Sequence, residues 1–149
     1  MPSSYAALYY HLVWSTKYRE PLIQPEWKDR LYAYIGGILR ERECKLLVAG
    51  GIEDHVHLLC SLGREDSIRD TVQAMKTNSS KWLRTELRPH FHWQDGYGAF
   101  SVSPSAIAPV DGYIRNQEEH HRKLTFEEEM LAIFKACGIE CDPRFFERR

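Results

Sequence analysis

Several things are missing from this chain, and each absence removes a class of function. No apolar run approaches the length needed to cross a bilayer, and the start Met1-Pro2-Ser3-Ser4 lacks a basic stretch followed by an apolar one. The expectation is a soluble protein of the cell interior. An excess of positive charge is also missing. Twenty Lys+Arg face twenty-one Asp+Glu for a net charge of −1, where nucleic-acid binders are often clearly basic. Cysteine is sparse, with four in all. Cys137 and Cys141 have the spacing of half a zinc site, but no second pair stands at finger-like distance, so reduced structural thiols are expected. There is no His-x-Glu followed by Pro-Cys-x-x-Cys, which removes the zinc deaminases. No repeat, low-complexity tract or linker interrupts the 149 residues, so one domain spanning 1–149 is expected, large enough to bury a core.

What is present begins with two histidines around one valine, Asp54-His55-Val56-His57-Leu58-Leu59. Side chains at i and i+2 of a strand leave the same face, so His55 and His57 can offer two imidazoles to one cation. Downstream, Tyr113 stands four residues before Gln117, a spacing that stacks both on one face of a helix. If the two pairs meet, they supply two nitrogen ligands, an amide oxygen ligand and a phenolic nucleophile. That is equipment for metal-assisted phosphoryl transfer. On its own, a His-x-His in an apolar strand more often packs one ring and solvates the other.

Periodicity gives the frame. Residues 4–16 read as a first strand, rich in Tyr, Val, Leu and Trp. Apolar residues then recur at helical spacing from Trp27 to Leu39, a helix over 26–42. Gly36-Gly37 within it marks either a weak point or close packing on the sheet. Residues 46–52 and 56–62 read as a hairpin with the histidines opening its second strand. A second helix over 67–87 stops before Pro89, and 97–102 is a short aromatic strand. The order is βαββαβ, the α+β ferredoxin-like (RRM-like) arrangement, with both helices on one face of an antiparallel sheet and the other face open for a ligand. A tyrosine-bearing helix follows, beginning near Ala108 with Pro109 in its first turn, and then an amphipathic helix over 126–137 that buries Met130, Leu131, Ile133 and Phe134.

Three segments carry a family likeness: Tyr10-His11-Leu12-Val13-Trp14-Ser15-Thr16-Lys17-Tyr18-Arg19, Gly51-Ile52-Glu53-Asp54-His55-Val56-His57-Leu58-Leu59, and Tyr113-Ile114-Arg115-Asn116-Gln117-Glu118-Glu119-His120-His121. In order and spacing they resemble the single-domain tyrosine transposases of the His-hydrophobic-His superfamily, of the insertion-sequence and REP-associated type, over about residues 4–146. The resemblance implies an enzyme that cuts and rejoins single-stranded or hairpin DNA through a 5′-phosphotyrosine. Tyr113 would be the nucleophile, and His55, His57 and Gln117 the ligands of Mg²⁺ or Mn²⁺. It also implies a bacterial cytoplasmic, nucleoid-associated enzyme. A homodimer is implied too, in which the tyrosine helix of one subunit completes the histidine site of the other and moves between cis and trans positions; Gly112 weakens that helix's first turn. Two alternatives stay open: a domesticated REP-associated nuclease, and a non-catalytic single-strand-binding module.

Other residues carry weaker expectations. Asp54 stands where it can fix a histidine tautomer, or it is a turn residue. Lys76, Lys81, Arg84 and Arg88 recur through one segment, with Lys76, Arg84 and Arg88 near one helical face; they read as a solvated face or, given the resemblance, as a phosphate-contacting stripe, and Arg115 reads as a phosphate contact or a surface residue. Trp14, Tyr18, Trp93 and Tyr97 are candidates for stacking unpaired bases, with core packing the competing role. His90, His92, His120 and His121 read as solvated or loosely DNA-facing, and Glu127-Glu128-Glu129 as remote from the site.

Overall fold

The structure is a computed structural model that describes residues 4–146; Met1 to Ser3, on which the reading of the N-terminus rests in part, lie outside the described residues. Four strands form one antiparallel sheet: β1 (Leu8–Ser15), β2 (Lys45–Ile52), β3 (His55–Leu62) and β4 (Gly98–Val102), in the order β2-β3-β1-β4. Helices α1 (Pro25–Glu41) and α2 (Ile68–Glu86) connect them. This is the ferredoxin-like order expected, with β1 and β3 at the centre.

Alternation assigns the two faces. Leu12 and Trp14 of β1, with Val56, Leu58 and Cys60 of β3, point into the main core against Leu31, Ile35 and Leu39 of α1 and Val72, Met75 and Leu83 of α2. Pro25 opens α1, where its missing N–H costs nothing, and Ser67 caps α2 by accepting from the Asp70 N–H at 3.1 Å. Gly36 and Gly37 do not mark close packing: a Cβ on Gly36 would meet Leu46 at an ordinary 3.6 Å, and one on Gly37 would meet nothing within 4 Å.

The opposite face is not left open. Helices α3 (Ile107–Arg115), α4 (Gln117–His120) and α5 (Phe126–Ala136) lie across it. Ile114 packs on Val48 and Leu59 at one end, while Phe126, Met130 and Phe134 of α5 cover Val13 and Phe100 at the other. Gly50 permits the first contact: a Cβ there would lie 2.1 Å from the Ile114 carbonyl oxygen, so only glycine lets α3 approach β2 this closely. Thr125 and Glu128 form a reciprocal capping box that fixes the start of α5. Leu131, expected on the buried face of that helix, is 46% exposed, because the buried stripe runs through Phe126, Glu129, Met130 and Phe134.

The tyrosine helix is also broken. It ends at Arg115, Asn116 leaves helical geometry, and α4 restarts at Gln117. Tyr113 and Gln117 therefore do not stack along one continuous helix.

Candidate active site

Between the two apolar patches on the helix-covered face lies a band of polar side chains. β3 contributes His55 and His57 and β1 contributes His11, all buried. The outward nitrogen of each paired histidine is engaged. His55 Nδ1 donates to Asp54 at 2.7 Å, the tautomer-fixing contact that Asp54 was positioned to make. His57 Nδ1 lies 2.8 Å from His11 Nε2, and the two rings stack at 5.0 Å.

The inward nitrogens converge on a residue that was expected to lie remote from the site. Glu129, on α5, is 2% exposed. Its Oε1 lies 3.0 Å from His57 Nε2, 3.1 Å from His121 Nε2 and 3.5 Å from His55 Nε2. Its Oε2 accepts from the Tyr113 hydroxyl and, at 3.0 Å, from Gln117 Nε2. Gln117 Oε1 in turn lies 3.2 Å from His55 Nε2. The histidine pair, Tyr113 and Gln117 thus do meet, Gln117 directly at His55 and Tyr113 through a carboxylate from a different helix.

His121 is corrected with it. Its side chain is 6% exposed rather than solvated, and its Nδ1 donates to the Leu124 carbonyl at 2.8 Å. His120, its neighbour, points the other way and lies against the Tyr113 ring at 4.6 Å.

The electrostatics follow from burial and these contacts. Burial depresses His55, but the bonds to Asp54 and Glu129 outweigh it and raise its pKa to about 9. Burial dominates at His57 and lowers it to about 4, and at His11, lowered to about 3. Burial would raise Glu129; the hydrogen bonds from His121, His55 and His57 together hold it well below the usual carboxylate range. Burial and the adjacent carboxylate both push the Tyr113 phenol up, so it holds its proton at neutral pH.

A divalent cation fits this donor set. His55, His121 and Glu129 each present a ligand atom within 4.8 Å of one another. Imidazole and carboxylate together are ligands of transition-metal and zinc ions, and the outward nitrogens are held by partners as in established metal sites. Among the described residues no cysteine joins a ligand cluster, and all four are free thiols. Beside His121 and Asp54 a cleft of about 540 Å³ opens to solvent, with Arg19, Arg122 and Lys123 around it and one further carboxylate, Glu127.

The remaining candidates scatter. Trp14 is fully buried and meets Trp93 edge-on at 5.9 Å, so neither exposes a face to a base. Tyr18 is 44% and Tyr97 36% exposed, leaving both rings accessible. Lys76 donates to the Gln94 and Gly96 carbonyls at 2.6 and 3.0 Å, and burial lowers its pKa to about 8; it ties α2 to the loop before β4. Arg84 donates to the Phe91 carbonyl at 3.3 Å. The expected stripe is therefore half structural: Lys81 is exposed and Arg88 half-buried. Arg115 is exposed and paired with Asp111.

A tyrosine hydroxyl beside a histidine pair on the central strand of a ferredoxin-like sheet defines a class, the tyrosine-dependent DNA strand transferases. Residues 4–117 match the family described as "Transposase IS200 like", and the chain belongs to that family. It is a DNA transposase. It is 29% identical over 119 residues to the ISDra2 transposase TnpA of Deinococcus radiodurans, covering 75% of this chain and 85% of that one. A crystal structure of a transposase from Deinococcus radiodurans R1 superposes with a TM-score of 0.64 at 29% identity, over 78% of this chain and 95% of that one. The structure of a REP-associated tyrosine transposase bound to a REP hairpin shares the fold, with a TM-score of 0.57 at 13% identity, over 76% of this chain and 68% of that one. No helix among the described residues is long and apolar enough to cross a membrane.

Proposed function

We propose that this chain, as a single domain, cleaves and rejoins single-stranded or hairpin DNA with Tyr113 as nucleophile, and with His55, His57 and Gln117 holding Mg²⁺ or Mn²⁺. The observation that carries this is the convergence of Tyr113, Gln117 and both histidines on Glu129. Such an ion would polarise the phosphorus–oxygen bonds of the scissile phosphate. The residues do the rest. Asp54 and His11 hold the two imidazoles in orientation. Tyr113 Oη forms a bond to phosphorus while its proton passes to Glu129 Oε2, the acceptor it already faces. The bond from phosphorus to O3′ breaks, and that oxygen takes a proton from solvent to leave a 3′-hydroxyl. The 5′-phosphotyrosine keeps the phosphodiester's energy, so another 3′-hydroxyl can reverse the step without ATP.

The cleft with Arg19, Arg122 and Lys123 lies beside the site and suits a phosphate backbone. Tyr18 and Tyr97 supply exposed rings for unpaired bases, and Lys81, Arg88 and Arg115 supply charge at the surface. An enzyme of this kind works where the DNA lies, at the bacterial nucleoid. Tyr113 and His57 both reach Glu129 within one chain, which supports cis cleavage. Exchange of α3 across a homodimer is the second reading, favoured by the break at Asn116 and by exposed Gly112, whose Cβ would meet nothing within 4 Å.

Incubation with end-labelled, hairpin-bearing single strands and Mg²⁺ or Mn²⁺ tests the reading. A covalent adduct that denaturation does not remove is expected, absent in Tyr113→Phe. Binding without any adduct would leave a non-catalytic binding module. Cleavage confined to palindromic repeats, with no rejoining, would leave a domesticated nuclease.

A further inference from the structure

The reading above assigns the ion to two histidines and an amide, and leaves Glu129 and His121 without a part in holding it. Both lie beyond Gln117, where the family match ends. We propose that Glu129 and His121 are ligands of the divalent ion in this chain, forming with His55 a carboxylate-bearing seat. This rests on the reading that the site takes a divalent ion, and adds which residues hold it and which ions it prefers.

Hydrogen bookkeeping supports it. A neutral imidazole carries one N–H. At His55 that hydrogen is committed to the Asp54 carboxylate, and at His121 to the Leu124 carbonyl, neither of which can donate. Both Nε2 atoms then turn a bare lone pair toward Glu129 Oε1, itself an acceptor, at 3.5 and 3.1 Å. Electron pairs facing one another in a buried site are stable only with positive charge among them. A divalent ion supplies it, with ligands already aimed inward.

Glu129 is also held in place. The capping box anchors the start of α5, and Phe126, Met130 and Phe134 fix the helix on Val13 and Phe100. Withdrawing the carboxylate would mean peeling that helix from its apolar seat. Its second oxygen meanwhile holds Tyr113 and Gln117. One carboxylate thereby spans ion and nucleophile, and sets the distance between them.

The donor chemistry predicts selectivity. A seat with imidazoles and one carboxylate suits Mn²⁺ or Zn²⁺, whereas Mg²⁺ prefers oxygen ligands and retains water. Calorimetric titration of the full chain with MnCl₂, ZnCl₂ and MgCl₂ reads this without reference to activity. Four proteins are compared: wild type, Glu129→Gln, His121→Ala and His57→Ala, each checked for folding by thermal unfolding in chelator. Glu129→Gln keeps shape and size, so a folding failure is avoided at the position that matters most. Wild type should bind Mn²⁺ at least tenfold tighter than Mg²⁺. Both Glu129→Gln and His121→Ala should weaken Mn²⁺ binding at least tenfold. The visible spectrum of the Co²⁺-loaded protein should change in both variants as a ligand is lost. Unchanged or tighter Mn²⁺ binding in both, with His57→Ala weakened, overturns the proposal and leaves the simpler histidine–glutamine site standing. Failure of wild type to bind any of the three ions overturns both.

Discussion

Tyr113 donates its phenolic hydrogen to Glu129, sixteen residues further along the chain and on a different helix. The phenol proposed as nucleophile is therefore not positioned by its own helix alone. α3 sets its height above the sheet, through Ile114 on Val48 and Leu59, and α5 sets where its oxygen points. Glu129 holds the phenol protonated at rest and is the nearest acceptor when the proton must leave.

Replacing Tyr113 by Phe removes that oxygen and nothing else. Glu129 keeps its bonds to Gln117 and His121, so the cost in stability should be about 1 kcal/mol or less. Single-strand affinity in gel shift should be retained while the covalent adduct disappears. An adduct formed by Tyr113→Phe would mean that another nucleophile does the chemistry.

His11 touches no ligand atom directly but fixes His57 through its Nδ1. His11→Phe fills the same space and removes the nitrogen, so the fold should persist while His57 loses its orientation. Partners of this kind typically change metal affinity or activity by about 10–100-fold. Mn²⁺ titration and the adduct rate should both fall in that range, with partial recovery in His11→Asn. Equal values for wild type and His11→Phe would reduce the contact to packing.

Much of this was legible because it is local. Period-two and period-3.6 patterns place β1 to β4, α1 and α2, and the i, i+2 spacing correctly sends His55 and His57 to one face. Asp54 was readable as a neighbour of His55. Glu129, His121 and His11 were not, because their contacts depend on how α5 and β1 lie against β3, which no local period encodes. One signal did exist. Glu129 falls three residues after Phe126 and one before Met130, so a charged residue sits on the apolar stripe of an amphipathic helix. A charge there is buried only when something in the fold answers it. The helix break at Asn116 was hidden because spacing alone reports a continuous helix.

Gly50 makes a sharper prediction than either glycine that periodicity flagged. A Cβ there collides with the Ile114 backbone and cannot be relieved by a side-chain rotation. Gly50→Ala should destabilise by about 1–3 kcal/mol and lift α3, with loss of adduct formation. Gly112→Ala, in open space on the same helix, should instead stabilise by up to about 1 kcal/mol. Urea unfolding of the two variants, measured side by side, reads both signs.

Away from the site, Arg42 donates from Nε and Nη2 to Asp66 at 2.8 and 2.7 Å. Those bonds lower the Asp66 pKa from 3.8 to about 2. A depressed carboxylate contributes stability above its unfolded pKa and loses it as pH falls through the folded value. The contribution should thus be complete above about pH 4 and gone near pH 2. Partial exposure of Arg42, 34% for its side chain, screens the pair to about 1 kcal/mol or less. Asp66→Asn should be less stable than wild type at pH 6, and the two should converge near pH 2. A constant gap across that range would exclude titration of Asp66 as the cause.

Whether Tyr113 serves its own histidines or a partner's is decided by mixing two dead proteins. In His57→Ala the tyrosine is intact and the histidine pair is not; in Tyr113→Phe the reverse holds. Within one chain, Tyr113 already bonds to the Glu129 that His57 meets, and their rings lie 5.7 Å apart. If that arrangement is the reacting one, every chain in a mixture lacks one essential group, and no adduct should form at any ratio or concentration. Exchange of α3 between subunits would instead create one site with both groups intact in each mixed dimer, and activity would return as the two proteins are combined. We expect no recovery, because leaving the cis arrangement must break the Tyr113–Glu129 bond and separate Ile114 from Val48 and Leu59. Recovery would mean that DNA or the partner supplies enough contact to offset both, and that the break at Asn116 is the hinge.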